Sequence, residues 1–123
     1  MTKILIHLLR TAILTLSIFS FSMPALSANL AFMNDTAGQY FNNQDWALFG
    51  VSVQHALNTK SNGKTEVWRN PKTGSGGTLM PINSMKKNGT ICRDLQITNR
   101  AKSRTDQYVF MYCKYRTGWK IQQ

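Results

Sequence analysis

The chain has 123 residues, with 15 Lys and Arg against 5 Asp and Glu, for a formal net charge of +10. That length accommodates one small domain, and two histidines, two cysteines and five carboxylates leave few parts for catalysis or metal binding. The excess of positive charge points toward anionic partners.

The chain opens with Lys3 and Arg10, followed by an apolar run from Thr11 to Phe21 and the small-residue stretch Pro24-Ala25-Leu26-Ser27-Ala28. This is the layout of a secretory signal, so residues 1–28 are expected to be removed on export, with a cut after Ala28 preferred to one after Ser27. The run between Arg10 and Pro24 is short against the ~20 residues a spanning helix needs. No cysteine lies near the cut, so a lipid-attached start is not available there. Residues 29–42 read as a leader that packs loosely or lies across a neighbour, and residues 43–123 as an α+β domain.

Asn42 or Asn43 offers a helix cap, and Asp45 in the first turn suits the helix dipole. Trp46, Phe49, Val53, Ala56 and Leu57 recur at three- and four-residue steps, predicting a helix with one apolar face that ends near Asn58. Gln44, Ser52, Gln54 and His55 are assigned to its polar face. From Lys64 the pattern becomes alternating. Thr65–Trp68 reads as a short strand, Asn70-Pro71-Lys72-Thr73-Gly74 as its turn, and Gly77–Ser84 as the return strand. Pro81 cannot donate to a ladder, which predicts a bulge or an edge position. Asn88-Gly89 is a strong hairpin signal. A third strand over Thr90–Asn99, a fourth over Gln107–Tyr115 and a last over Trp119–Gln122 complete the set. The predicted fold class is α+β, one amphipathic helix packed on an antiparallel meander of about five short strands.

Cys92 and Cys113 are equidistant from Lys102-Ser103, the basic turn between strands three and four. Antiparallel pairing about that turn sets the two cysteines opposite each other, within reach of a disulfide. An even cysteine count in an exported domain favours the bridge over two free thiols. The same register pairs Arg93 with Tyr112, Leu95 with Phe110 and Ile97 with Tyr108 on one face, which is expected to cover the helix.

Chemistry-bearing groups are sparse. His55 is the only histidine beyond the signal, and no metal-ligand set assembles around it. A Cys113–His55 nucleophile pair competes with the disulfide. The five carboxylates show no paired spacing suited to glycan hydrolysis. Gly74, Gly76 and Gly77 precede a strand rather than a helix, so they read as corner geometry and not as a phosphate loop. No catalytic, cofactor or metal residue is therefore assigned. Thirteen of the fifteen basic residues lie from Lys60 onward. The candidate surface for a polyanion or partner is Lys86, Lys87, Arg100, Lys102, Arg104 and Arg116, with a solubilising charged surface as the bland alternative.

Trp68, Asn70-Pro71, Thr73-Gly74, Gly77 and Pro81 are followed by Cys92-Arg93-Asp94-Leu95-Gln96, Tyr112-Cys113-Lys114 and Gly118-Trp119-Lys120-Ile121. In that order and spacing the chain resembles the C-terminal domain of the rickettsial-type seventeen-kilodalton surface antigens. The resemblance implies a Gram-negative envelope protein, at the outer membrane or in the periplasm, of structural or unknown role and with no established enzymatic activity. Many members carry a lipid-attached cysteine and a glycine-zipper segment, and this chain shows neither. A soluble periplasmic or surface-associated domain is the resulting expectation. Its partner would be an envelope protein, such as an outer-membrane or secretion assembly, or an anionic envelope surface with peripheral membrane contact. A small envelope hydrolase or thiol enzyme, and a polyanion binder acting on lipopolysaccharide or nucleic acid, are the alternatives. Export weighs against nucleic acid.

Overall fold

The computed structural model describes residues 35–123. The expected signal segment and the first part of the leader lie outside the described residues. One helix, α1 (Asn43–Thr59), precedes five strands: β1 (Glu66–Arg69), β2 (Gly76–Lys87), β3 (Thr90–Ala101), β4 (Arg104–Tyr115) and β5 (Gly118–Ile121). The strands form one antiparallel sheet in the order β1-β2-β3-β4-β5, a meander in which every neighbour in sequence is a neighbour in space. The α+β class and the single helix on a five-stranded meander are as the sequence predicts.

The local signals act where they were read. Asn42 caps α1: its side chain accepts from the Asp45 amide at 2.8 Å, and the Asp45 carboxylate accepts from the Asn42 amide at 2.9 Å. This reciprocal pair satisfies two of the helix's otherwise orphaned N–H groups. Asn88 and Gly89 both take positive φ, 51° and 77°, as a tight two-residue hairpin between long strands requires. Pro81 pairs with Leu95 and Asn83 with Asp94, leaving Ile82 as an extra residue in a bulge. The bulge re-aims the strand so that Ser84, rather than Asn83, faces inward opposite Arg93.

β2, β3 and β4 are longer than the alternating apolar pattern suggests, at 12 residues each. Lys86, Lys87, Arg100, Arg104 and Thr105 continue the ladders because backbone pairing there does not need apolar side chains. The register of β3 with β4 is the one centred on the basic turn, with Cys92 opposite Cys113, Leu95 opposite Phe110 and Ile97 opposite Tyr108. Cys92 and Cys113 form a disulfide, and no free cysteine is present. Both half-cystines are buried, in a row running Met85, Cys92, Cys113 and Lys120 across four strands on the face away from α1.

The core lies between α1 and the other face. Val53, Ala56 and Leu57 pack with Trp68, Leu79, Leu95, Ile97, Ala101, Tyr112 and Trp119, and Ala37 and Phe41 join them from upstream of the helix. Phe41, Trp46, Phe49 and Trp68 form a closed cycle of edge-on ring contacts with centroids 5.0–5.8 Å apart. Trp46, assigned to the apolar stripe, is the most solvent-facing member of that cycle and stays 37% exposed.

Gln54 departs from its assignment to the polar face. Its side-chain amide donates to the Trp119 carbonyl and accepts from the Trp119 amide, both at 2.9 Å. The helix thus gives Trp119 of β5 the pairing that a sixth strand would have given it, covering part of that sheet edge.

Candidate functional site

Two polar clusters fix the geometry of the basic surface. The first is centred on Asp45, which is fully buried. Besides capping α1, its carboxylate accepts from the Asn70 side-chain amide and from the Thr73 hydroxyl, each at 2.7 Å. Asn70 is also fully buried; its carbonyl oxygen accepts from the Lys72 amide at 3.0 Å, and the Thr73 hydroxyl accepts from the Ser75 amide at 3.2 Å. The run Asn70-Pro71-Lys72-Thr73-Gly74 is therefore not a free corner. It is tied to the start of the helix through one carboxylate. Desolvation pushes the Asp45 pKa up, but hydrogen bonds from Thr73, Asn42 and Asn70 outweigh it and hold it below the ordinary carboxylate value.

The second cluster is centred on Arg93. Its guanidinium donates to the Leu57 and Lys60 carbonyls at 2.7 and 2.8 Å, to Asn62 Oδ1 at 2.9 Å and to Ser84 Oγ at 2.8 Å. These contacts satisfy orphaned carbonyls at the end of α1 and set a positive charge at the negative pole of its dipole. Arg93 is consumed by the fold.

The remaining cations divide between the two ends of the sheet. Lys86 and Lys87 close β2, and Arg116 occupies the β4–β5 turn, so these three share one end. Arg100, Lys102 and Arg104 share the other, around the β3–β4 turn. Twelve-residue strands hold the two groups about 35 Å apart. Arg104 donates to the Asp35 carbonyl, and the Ala37 amide donates to Asp106, so the chain ahead of the helix is pinned at the second end.

Arg69, not among the sequence-derived candidates, also belongs to that end. Arg69, Gly76 and Arg100 occupy one row across β1, β2 and β3, on the face away from the helix. A cavity of about 350 Å³ is lined there by Val67, Arg69, Gly76, Thr78 and Arg100, with backbone from the glycine-rich turn. Gly77 lies in the next row, on the core face, where the Trp68 indole passes over it and donates to Asn99 Oδ1 at 3.2 Å. A methyl group at Gly77 would collide with the Thr98 carbonyl, and one at Gly76 would sit 2.7 Å from the Trp68 carbonyl oxygen. Both glycines are there because the backbones of β1, β2 and β3 approach too closely for a Cβ. The stretch that reads as scaffold alone therefore also lines a cationic hollow. Arg69 follows the strand signal by one residue and precedes an Asn-Pro turn, so only the three-strand register reveals its neighbour Arg100.

Acidic groups do little to neutralise this surface. Among the described residues, the Lys–carboxylate pair is Lys60 with Glu66 at 3.2 Å, and His55 Nδ1 lies 3.0 Å from the same carboxylate. Asp45 is occupied by neutral donors and Asp106 by a backbone amide. No group of three or more His, Cys, Asp or Glu suited to a metal ion occurs among the described residues, and no described helix is long and apolar enough to cross a membrane.

Comparison with curated proteins and with solved structures returned no match. The sequence profile of the 17 kDa outer membrane surface antigens matches residues 55–120, from the last turn of α1 into β5, and so takes in all of the meander but its last residue, with the disulfide and the cationic hollow. That match indicates a place in the cell envelope or at its surface. Covering more than half of the sequence, it settles the kinship expected from the residues: the chain belongs to the family of 17 kDa outer membrane surface antigens.

Proposed function

We propose that this is a non-enzymatic envelope protein that works by holding an anionic envelope surface with the cations at the ends of its sheet. The observation that carries this reading is the imbalance left after folding. Thirteen Lys and Arg lie from Lys60 onward; Lys60 pairs with Glu66, Arg93 caps the helix, and Arg104 reaches a carbonyl. The others stand on exposed turns and strand ends, where they raise the local potential toward phosphate or carboxylate groups. Burial of both half-cystines in a disulfide leaves the Cys113–His55 nucleophile without a thiol. In this reading the protein sits on the periplasmic or outer side of the envelope as a peripheral component.

The test is co-sedimentation of the purified exported form with vesicles. Binding to phosphatidylglycerol vesicles is expected at low ionic strength, with little binding to phosphatidylcholine. Release is expected near 1 M salt, where the screening length falls to about 3 Å. Equal binding to both lipids, unaffected by salt, would sink the reading and point to the apolar side chains instead.

A further inference from the structure

We propose that Arg69 and Arg100, facing each other across Gly76, form a clamp for a phosphate monoester carried on a sugar or a lipid headgroup. This site deepens the anionic-surface reading and rests on it.

The clamp follows from the register. Arg69 pairs with Gly76 and Gly76 pairs with Arg100, so the two arginines project from one face with a single strand between them. Their Cα atoms are thus separated by two strand spacings, about 10 Å. Gly76 places no side chain in the gap, and none can be introduced there without meeting the Trp68 carbonyl. Both arginines line the same cavity of about 350 Å³. That volume is at the small end of ligand pockets, enough for a phosphate with part of its carrier.

Neither arginine is committed elsewhere. Among the described residues, the arginine side chains that donate hydrogen bonds are Arg93 and Arg104, and neither Arg69 nor Arg100 enters an ion pair. The next residue in their row is neutral, Thr105 opposite Arg100. Two unneutralised forks over a bare strand suit an anion with more than two oxygens. A carboxylate saturates one guanidinium in bidentate fashion, whereas a phosphate monoester carries three terminal oxygens and up to two charges, enough to engage both. Val67, 69% exposed on the same face, gives an apolar flank for the carrier, and the Thr78 hydroxyl adds a neutral hydrogen-bonding group at the rim.

The test uses the exported form of the full chain, titrated calorimetrically with glucose 6-phosphate and with inorganic phosphate. It is then sedimented with phosphatidylcholine vesicles containing phosphatidic acid. Arg69→Gln with Arg100→Gln is expected to weaken phosphate binding by about tenfold or more, as charge-assisted bonds to both forks are lost. The charge-matched control, Lys86→Gln with Lys87→Gln, removes two cations from the other end and is expected to change it less than about twofold. Arg69→Lys with Arg100→Lys keeps the charge but not the forks, and is expected not to restore affinity. Both arginines are exposed and free of structural hydrogen bonds, so circular dichroism should find every variant folded. Preference for glucose 6-phosphate over the vesicles assigns the clamp to sugar-borne phosphate, and the reverse assigns it to lipid. Equal loss in the arginine and lysine-end variants would overturn the clamp while leaving the anionic-surface reading standing. Absence of phosphate binding by the unmodified protein would also overturn it. Failure to bind phosphatidylglycerol vesicles as well would remove both.

Discussion

Asp45 has three tasks in one carboxylate: it accepts from the Asn42 amide at the helix start, and from Asn70 and Thr73 in the β1–β2 turn. Replacing it with Ala strips a buried set of donors of their acceptor and is expected to lower stability by about 3 kcal/mol, measured by urea denaturation. Its pH dependence has a definite sign. The folded-state pKa lies below the unfolded value, so the contribution is full above about pH 4 and is lost as pH falls through the folded pKa. Asp45→Asn should flatten the acid limb of the stability curve; an unchanged limb would show that other carboxylates set it. The sequence indicates Asp45 as a helix-start residue, from its place in the first turn after Asn42 or Asn43. It does not indicate the contact with Asn70, 25 positions away. That contact depends on how the helix lies across the sheet, and no local spacing encodes it. Gln54 is the same kind of case. By helical periodicity it belongs outside, and it is the curl of β5 back toward α1 that brings the Trp119 backbone to it.

At the level of elements, the hairpins were the most legible part of the fold because their signals are local. Asn88-Gly89 demands a left-handed pair, and the cysteines fix the β3–β4 register about a turn of known position. Strand ends were less legible, since charged residues extend the ladder at the C-terminal ends of β2 and β3 and at the N-terminal end of β4. Those extensions are what carry Lys86, Lys87, Arg100 and Arg104 out to the tips. The disulfide joins two strands already paired, across a separation of 21 residues. Cys92→Ser with Cys113→Ser is expected to cost roughly 3 kcal/mol through the freer unfolded chain, read as a shift in the urea midpoint. The unmodified protein should show no reactive thiol under denaturing, non-reducing conditions. The cationic hollow was only half legible at this level. Arg100 stands out within a basic run, while Arg69 gains meaning only from a partner two strands away.

For the molecule as a whole, the long central strands keep one group of cations at Lys86, Lys87 and Arg116 and another at Arg69, Arg100 and Lys102, about 35 Å apart. On the proposed anionic-surface reading, a rigid body with a cationic patch at either tip is divalent toward any surface that both patches recognise. Anionic vesicles mixed with the protein should therefore be cross-linked, and turbidity should rise and then fall again once protein in excess coats each vesicle separately. Removing the cations at one tip, with Lys86→Gln, Lys87→Gln and Arg116→Gln together, should abolish the clumping while sedimentation still detects binding. A strut of this kind would set the spacing between the two layers that it touches.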